Sequence, residues 1–304
     1  MIRKLLSALV ALGLFAWLLA EPRAQQALVS LFALPWTVLG VLIVTQSASY
    51  LCRGGRLYSQ FNPRIRLGFL AYLRISLLHN MSVNVIPFRG GELTLPVMLQ
   101  GIGLRLPEAF ATLLWLRLQD AFVLVLMTLA LWPGIPLVLR VAGIAAMLAG
   151  IVFFAFGNRR RLDGLRQFLA RTRLAKLVDT VWHIFDASAV SWGWSLANWT
   201  TKLVGLAVVL AALSDLSFSA ASGGALGGEV SALLPIQGVA GFGTYEAGVA
   251  FALRQSSDNW LALFTAAFAL HCFTLLLALI AGSLAWFAIP ARTAALDRSS
   301  ETKS

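Results

Sequence analysis

The chain has 304 residues, of which 59% are hydrophobic and only 12% are Asp, Glu, Lys or Arg. A soluble domain spends about twice that share on charge to cover its surface, so this composition, with a mean hydropathy of +0.80, marks an integral membrane protein. The net charge of +11 then reports orientation and contact with anionic headgroups rather than a nucleic-acid partner, and soluble-enzyme and nucleic-acid-binding classes fall away.

In chain order, Arg3 and Lys4 precede an apolar run to Ala20 with no small-x-small cleavage site before Glu21, which predicts a retained first span. A transmembrane helix needs about 20 mostly apolar residues, and stretches 28–50, 107–132, 136–157, 188–212 and 259–289 meet that need. With the first, about six spans are expected in an all-α membrane protein. Regions 67–105 and 218–257 are also apolar but are broken by NVIPFRGGELTLP and LLPIQGVAGFGTYEAG, so neither is expected to form one continuous helix.

Charge threads these two regions. Seventeen of the 24 basic residues (Arg3, Lys4, Arg53, Arg56, Arg64, Arg66, Arg105, those from Arg159 to Lys176, Arg292, Arg298 and Lys303) fall on one side if region 67–105 enters and leaves by the same face. Arg23, Arg140 and Arg254 then fall opposite, and the positive-inside rule places both termini in the cytoplasm. The broken regions become re-entrant hairpins of opposite orientation. Span, span, hairpin, span fills 1–132 and recurs inverted over 136–289, within a single membrane domain of residues 1–290.

The two breaks share a pattern: Pro87, Gly90, Gly91 and Glu92 in the first, Pro235, Gly238, Gly241, Gly243 and Glu246 in the second. Non-helical backbone at membrane depth survives only when buried in protein or lining a polar cavity, so paired breaks predict a central site. Between the halves, residues 159–185 alternate basic residues with Leu, Phe, Val and Trp182. They read equally as an amphipathic helix in the cytoplasmic headgroup layer or as a plain basic linker. The tail, 291–304, is polar and expected to be disordered.

Ionisable groups near the bilayer centre cost about 2.5–3.5 kcal/mol on insertion scales and usually face a partner or a cavity. Arg74, Arg89, Glu92, Arg117, Asp120, Lys202, Glu229 and Glu246 fit that description. Arg89 and Arg117 are candidate phosphate ligands, because guanidinium forks match phosphate geometry. Arg117 and Asp120, three apart, read either as a structural ion pair or as a headgroup site. Glu92, Asp120 and Glu246 are candidate proton-coupling or structural acids, while Asn84, Tyr245 and Gln237 are polar groups able to line the same cavity. His79, His183 and His271 stand alone at no metal-ligand spacing, and Cys52 and Cys272 are too isolated for a disulfide framework. No metal, no cofactor, no nucleotide-binding loop and no catalytic nucleophile with its base are expected.

NVIPFRGGE from Asn84 to Glu92, RLQD from Arg117 to Asp120 and PIQGVAGFGTYE from Pro235 to Glu246 together resemble the lysylphosphatidylglycerol synthase transmembrane family. The resemblance spans about residues 5–290 and implies a bacterial inner-membrane protein related to lipid flippases. Plausible cargo is an anionic or aminoacylated phospholipid or a polyprenyl-phosphate-linked sugar. Members often carry a basic residue three positions after the hairpin acid, where this chain has Leu95, so headgroup preference is left open. The soluble synthase domain of two-part members is not among these residues, and synthase activity is not inherited. The expectation is therefore a non-enzymatic lipid transporter with membrane lipids as partners and a possible homo-oligomer. The alternatives are a membrane subunit presenting lipid to a glycosyltransferase or synthase and, less favoured, a lipid-modifying enzyme.

Overall fold

The computed structural model describes residues 13, 20, 22–86, 90–132, 135–156, 189–233, 238–254, 256 and 259–290. The predicted first span, the basic linker 159–185 and the tail lie outside the described residues, apart from Gly13 and Ala20. What is described is all helical. The first half contains α1 (Pro22–Phe32), α2 (Trp36–Phe61), α3 (Phe69–Val85), a 3-10 turn (Gly90–Leu93), α4 (Thr94–Gly101) and α5 (Leu106–Leu131). The second contains α6 (Leu137–Phe156), α7 (Ala189–Ser214), α8 (Phe218–Ser231), a 3-10 turn (Val239–Gly241), α9 (Thr244–Leu253) and α10 (Trp260–Ala288). Helix, 3-10 turn, short helix and long helix thus follow one another in the same order in both halves.

Local chemistry explains the boundaries. Pro107 sits in the first turn of α5, where a missing N–H costs nothing, and α5 stops at an extended Trp132 just before Pro133. The Ser217 and Asn259 side chains accept from Ala220 N–H at 3.3 Å and Ala262 N–H at 3.1 Å, starting α8 and α10. One expected span is corrected: stretch 28–50 is not a continuous helix. It breaks before Pro35, and the flanking helices meet at 107°. Proline cannot donate to the preceding turn and disfavours helical backbone in the residue before it.

α5, α7 and α10 are each long and apolar enough to cross a membrane, and the bent α1–α2 pair passes the same test as one broken span. Their outer faces are apolar to an extent no aqueous surface tolerates. Leu137, Val138 and Leu139 of α6 and Leu261, Leu284 and Phe287 of α10 are all exposed, the last at 84%. The interior is held by close packing, because lipid tails remove the hydrophobic drive between helices. α2 and α7, second in their halves, make the most extensive contact in the molecule, and α8 folds back on α9. The small-residue run Gly223–Gly228 serves this last contact. A Cβ on Gly227 would strike the Gly248 carbonyl, and one on Gly248 would strike that of Gly227, so the run is spent inside the chain.

Candidate functional site

Two helices turn polar stripes toward the centre. On α2, Gln46, Ser49, Arg53 and Arg56 recur every three or four residues, and on α7 Ser191, Ser195, Asn198 and Lys202 do the same. The stripes meet. Ser49 Oγ and Arg53 Nε donate to Asn198 Oδ1 at 2.7 and 3.1 Å, and Arg53 Nη1 donates to Asn80 Oδ1 of α3 at 2.8 Å. Lys202 Nζ donates to Glu229 Oε2 of α8 at 2.6 Å, with its ammonium 5.2 Å from the Trp199 ring centroid. Lys202 stands at the middle of α7 and His271 near the middle of α10, which places this polar layer at the depth where an unpaired charge is most costly.

These groups enclose a cavity of about 120 Å³, lined among others by Gln46, Arg53, Asn84, Lys202, Tyr245 and His271. Two of its buried walls carry polar atoms with no hydrogen-bond partner, Gln46 Nε2 and Tyr245 Oη. A buried donor left unmade costs about 1–3 kcal/mol, so both atoms await an acceptor. A second cavity of about 50 Å³ adjoins Arg53 on its other side, lined by Arg56, His79, Arg117, Asp120 and Asn198.

Around that second cavity Arg56 and Arg117 each have an anion. Arg56, 5% exposed, donates Nη1 to Asp120 Oδ1 at 2.7 Å and Nη2 to Gln119 Oε1 at 2.6 Å and the Leu116 carbonyl at 3.0 Å. Ser195 Oγ and Trp199 Nε1 also donate to Asp120 Oδ1. Arg117 donates Nε and Nη2 to Glu92 Oε2 at 3.0 and 2.6 Å, and its Nη1 stands 3.7 Å from Asp120 Oδ2. Arg117 Nη2 also lies 3.3 Å from His79 Nε2. Guanidinium only donates, so His79 Nε2 accepts and the ring proton sits on Nδ1, 3.2 Å from Thr94 Oγ1.

The second-half break is pinned differently. Ala240 has a left-handed φ of 53°, and Gly241 and Gly243 follow at 87° and 84°, which prevents any helix from running through. Glu246, fully buried, accepts from Gly243 N–H through Oε2 at 2.7 Å, the reach-back half of a capping box. Its Oε1 meets His271 Nδ1 at 2.7 Å, and His271 Nε2 meets the Ala240 carbonyl at 3.1 Å. Glu92–Arg117 and Glu246–His271 therefore correspond: in each half the acid of the break pairs with a base 25 residues later on the following long helix.

Of the predicted site residues, Asn84 and Tyr245 line the larger cavity, while Arg117 and Asp120 line the smaller one with Glu92 bonded to Arg117. Glu246 lies behind the cavity wall. Gly90 and Gly91 begin the first 3-10 turn, and Gly238, Gly241 and Gly243 belong to the second break. Arg89, Gln237, Pro87 and Pro235 lie outside the described residues. Arg53 and Arg56, counted from sequence among the cytoplasmic basic residues, are corrected to members of the polar layer, Arg53 half-buried and Arg56 buried. His79 and His271, set aside as solitary, each hold a break residue's neighbour or acid. The signals were present in the stripe spacing of α2 and in the 25-residue acid-to-base interval.

No curated protein and no solved structure matches the chain. A family model described as the lysylphosphatidylglycerol synthase TM region matches residues 4–282. The motifs around Glu92, Arg117 and Glu246 and nearly the whole membrane-embedded fold fall within that match, and the chain belongs to this family.

Proposed function

We propose that this protein moves an anionic, phosphate-bearing lipid across the membrane, the headgroup passing through the larger polar cavity while the acyl chains remain in lipid. The family supports a membrane protein tied to lipid metabolism. The finer reading rests on one observation, the charge count of the polar layer. Among the described residues, Arg53, Arg56, Arg117 and Lys202 face Glu92, Asp120 and Glu229, with Glu246 taken up by His271. One positive charge is left over, and it belongs to Arg53, whose hydrogen bonds go to the neutral amide oxygens of Asn80 and Asn198.

A phosphodiester brings the single negative charge and the acceptor oxygens this arrangement lacks. Arg53 Nη2, two further Nζ donors of Lys202, Gln46 Nε2 and Tyr245 Oη are the donors available to it. The volume, on the order of ten water molecules, suits one headgroup and excludes acyl chains. The phosphate role expected of Arg117 passes to Arg53, because Arg117 is already committed to Glu92. The matching order of elements in the two halves supports the repeat reading with paired breaks; the inverted orientation and cytoplasmic termini rest on the distribution of basic residues, and a bacterial inner membrane on the family resemblance.

The test is translocation in liposomes by purified protein, using fluorescent phosphatidylglycerol, phosphatidylcholine and polyprenyl phosphate. Wild type is expected to move anionic over zwitterionic lipid. Arg53→Gln, losing a charge-assisted hydrogen bond worth about 1.5–3 kcal/mol, should slow it by roughly tenfold or more. Equal rates in the two proteins, or movement indifferent to headgroup, would refute the reading.

A further inference from the structure

We propose that the Glu246–His271 pair holds a proton that binds and leaves with the anionic headgroup, so that lipid passage is coupled to proton movement; this rests on reading the larger cavity as the headgroup site. The geometry fixes the proton count. A backbone carbonyl only accepts, so the 3.1 Å contact with Ala240 O puts a proton on His271 Nε2. The 2.7 Å contact between Nδ1 and Glu246 Oε1 then needs a second proton between them, because two bare lone pairs at that distance repel. Whether it lies nearer nitrogen or oxygen, the pair as a whole is neutral.

Removing that proton breaks one of the two contacts. If Nε2 keeps its hydrogen, Nδ1 faces the carboxylate lone pair against lone pair. If the hydrogen moves to Nδ1, Nε2 faces the Ala240 carbonyl in the same way. Either outcome frees the second break, at the left-handed Ala240 or at the end of α9 capped by Glu246. Ala240, Gly241 and His271 line the cavity, so water and bound ligand reach the latch directly, and the cavity is the path by which the proton arrives and leaves. The Phe242 and Tyr245 rings pack against the His271 ring, with centroids 4.5 and 4.7 Å away.

Among the described residues the first break is held by a different base. Its equivalent acid, Glu92, is bonded to Arg117, a guanidinium that does not deprotonate in proteins. The acid of the second break is instead bonded directly to an imidazole, whose proton is removable. The charged and titratable groups facing His271 are Glu246 and Tyr245 of α9, Lys202 of α7, Glu229 of α8, and Arg53 and Tyr50 of α2. α3 adds uncharged Asn80 and Asn84, and α1 packs through Leu28 and Phe32. An anion on Arg53 and Lys202 favours the neutral, protonated pair over the negative one. By linkage the proton favours the anion to the same degree.

Proton uptake decides it. Short-chain phosphatidylglycerol is added to the detergent-solubilised protein in weak buffer, with bound lipid measured in parallel. The free pair already holds the proton in this geometry, so uptake is read across a pH series: wild type should take up little where the free pair keeps its proton, rising toward about one proton per lipid at higher pH, where the free pair has lost it. H271R, which gives the second half the permanent cation of the first, should bring that ratio near zero, and so should E246Q, whose amide donates to Nδ1 without a transferable proton. A ratio near zero in wild type at every pH, or a wild-type ratio in folded H271R, overturns the proposal. If H271R does not fold, E246Q and the wild-type ratio still decide. Translocation under an imposed pH gradient separates the two readings. Lipid movement indifferent to the gradient, with no uptake, sinks the proton proposal and leaves transport standing. Uptake on binding without movement sinks transport and leaves the proton site, and absence of lipid binding sinks both.

Discussion

Asp120 receives hydrogen bonds from Arg56, Ser195 and Trp199 on a single carboxylate oxygen, while its other oxygen faces Arg117. Replacing it leaves Arg56, 5% exposed, as an uncompensated buried charge, a situation that costs about 3–5 kcal/mol. Asp120→Ala should therefore lose that much stability in thermal denaturation of the solubilised protein. Arg56→Met combined with Asp120→Leu, which removes both charges, should recover most of it; if the double variant is as unstable as the single, the pair is not acting through charge. Arg53→Gln leaves no carboxylate unpaired and should cost little stability while slowing transport. Sequence alone placed Asp120 among buried acids but gave it Arg117 as partner, three residues away on the same helix. The shorter, bidentate-capable partner is Arg56, 64 residues away, and no local spacing rule reaches across that distance.

At the scale of elements, the breaks are made by backbone proximity as much as by charge. Gly91 is pressed against α3 so closely that a Cβ would meet the Ser82 carbonyl, and the facing Gly227 and Gly248 hold α8 on α9 in the same manner. Gly248→Ala should force these helices apart at a cost of about 1–3 kcal/mol, seen as a lower unfolding temperature; an unchanged temperature would mean the close approach is not required. The long helices and both interrupted regions were legible from apolar runs and from Pro and Gly, since these act locally. The Pro35 bend was missed because the apolar run continues through it and hydropathy is blind to the missing N–H. The facing polar stripes of α2 and α7 were legible as spacing, but only packing shows that each supplies the other's hydrogen bonds.

For the whole molecule, the two halves share an order of elements and an acid-to-base interval yet differ in the base that holds the acid, Arg117 in the first and His271 in the second. An inverted arrangement predicts that the turns leaving the two breaks lie on opposite sides of the membrane. With Cys52 and Cys272 replaced by Ser, Arg105→Cys should react with an impermeant maleimide from the cytoplasmic face and Arg254→Cys from the outer face; labelling of both from one face would contradict the topology. In the proposed transport the headgroup occupies the cavity between α2, α3, α7 and α9. The most direct measurement is an experimental structure in nanodiscs of phosphatidylglycerol. Phosphate density is expected within hydrogen-bonding distance of Arg53 and Lys202, with Gln46 and Tyr245 turned toward it. A lipid phosphate bound instead at Arg117, with the larger cavity holding only water, would contradict it.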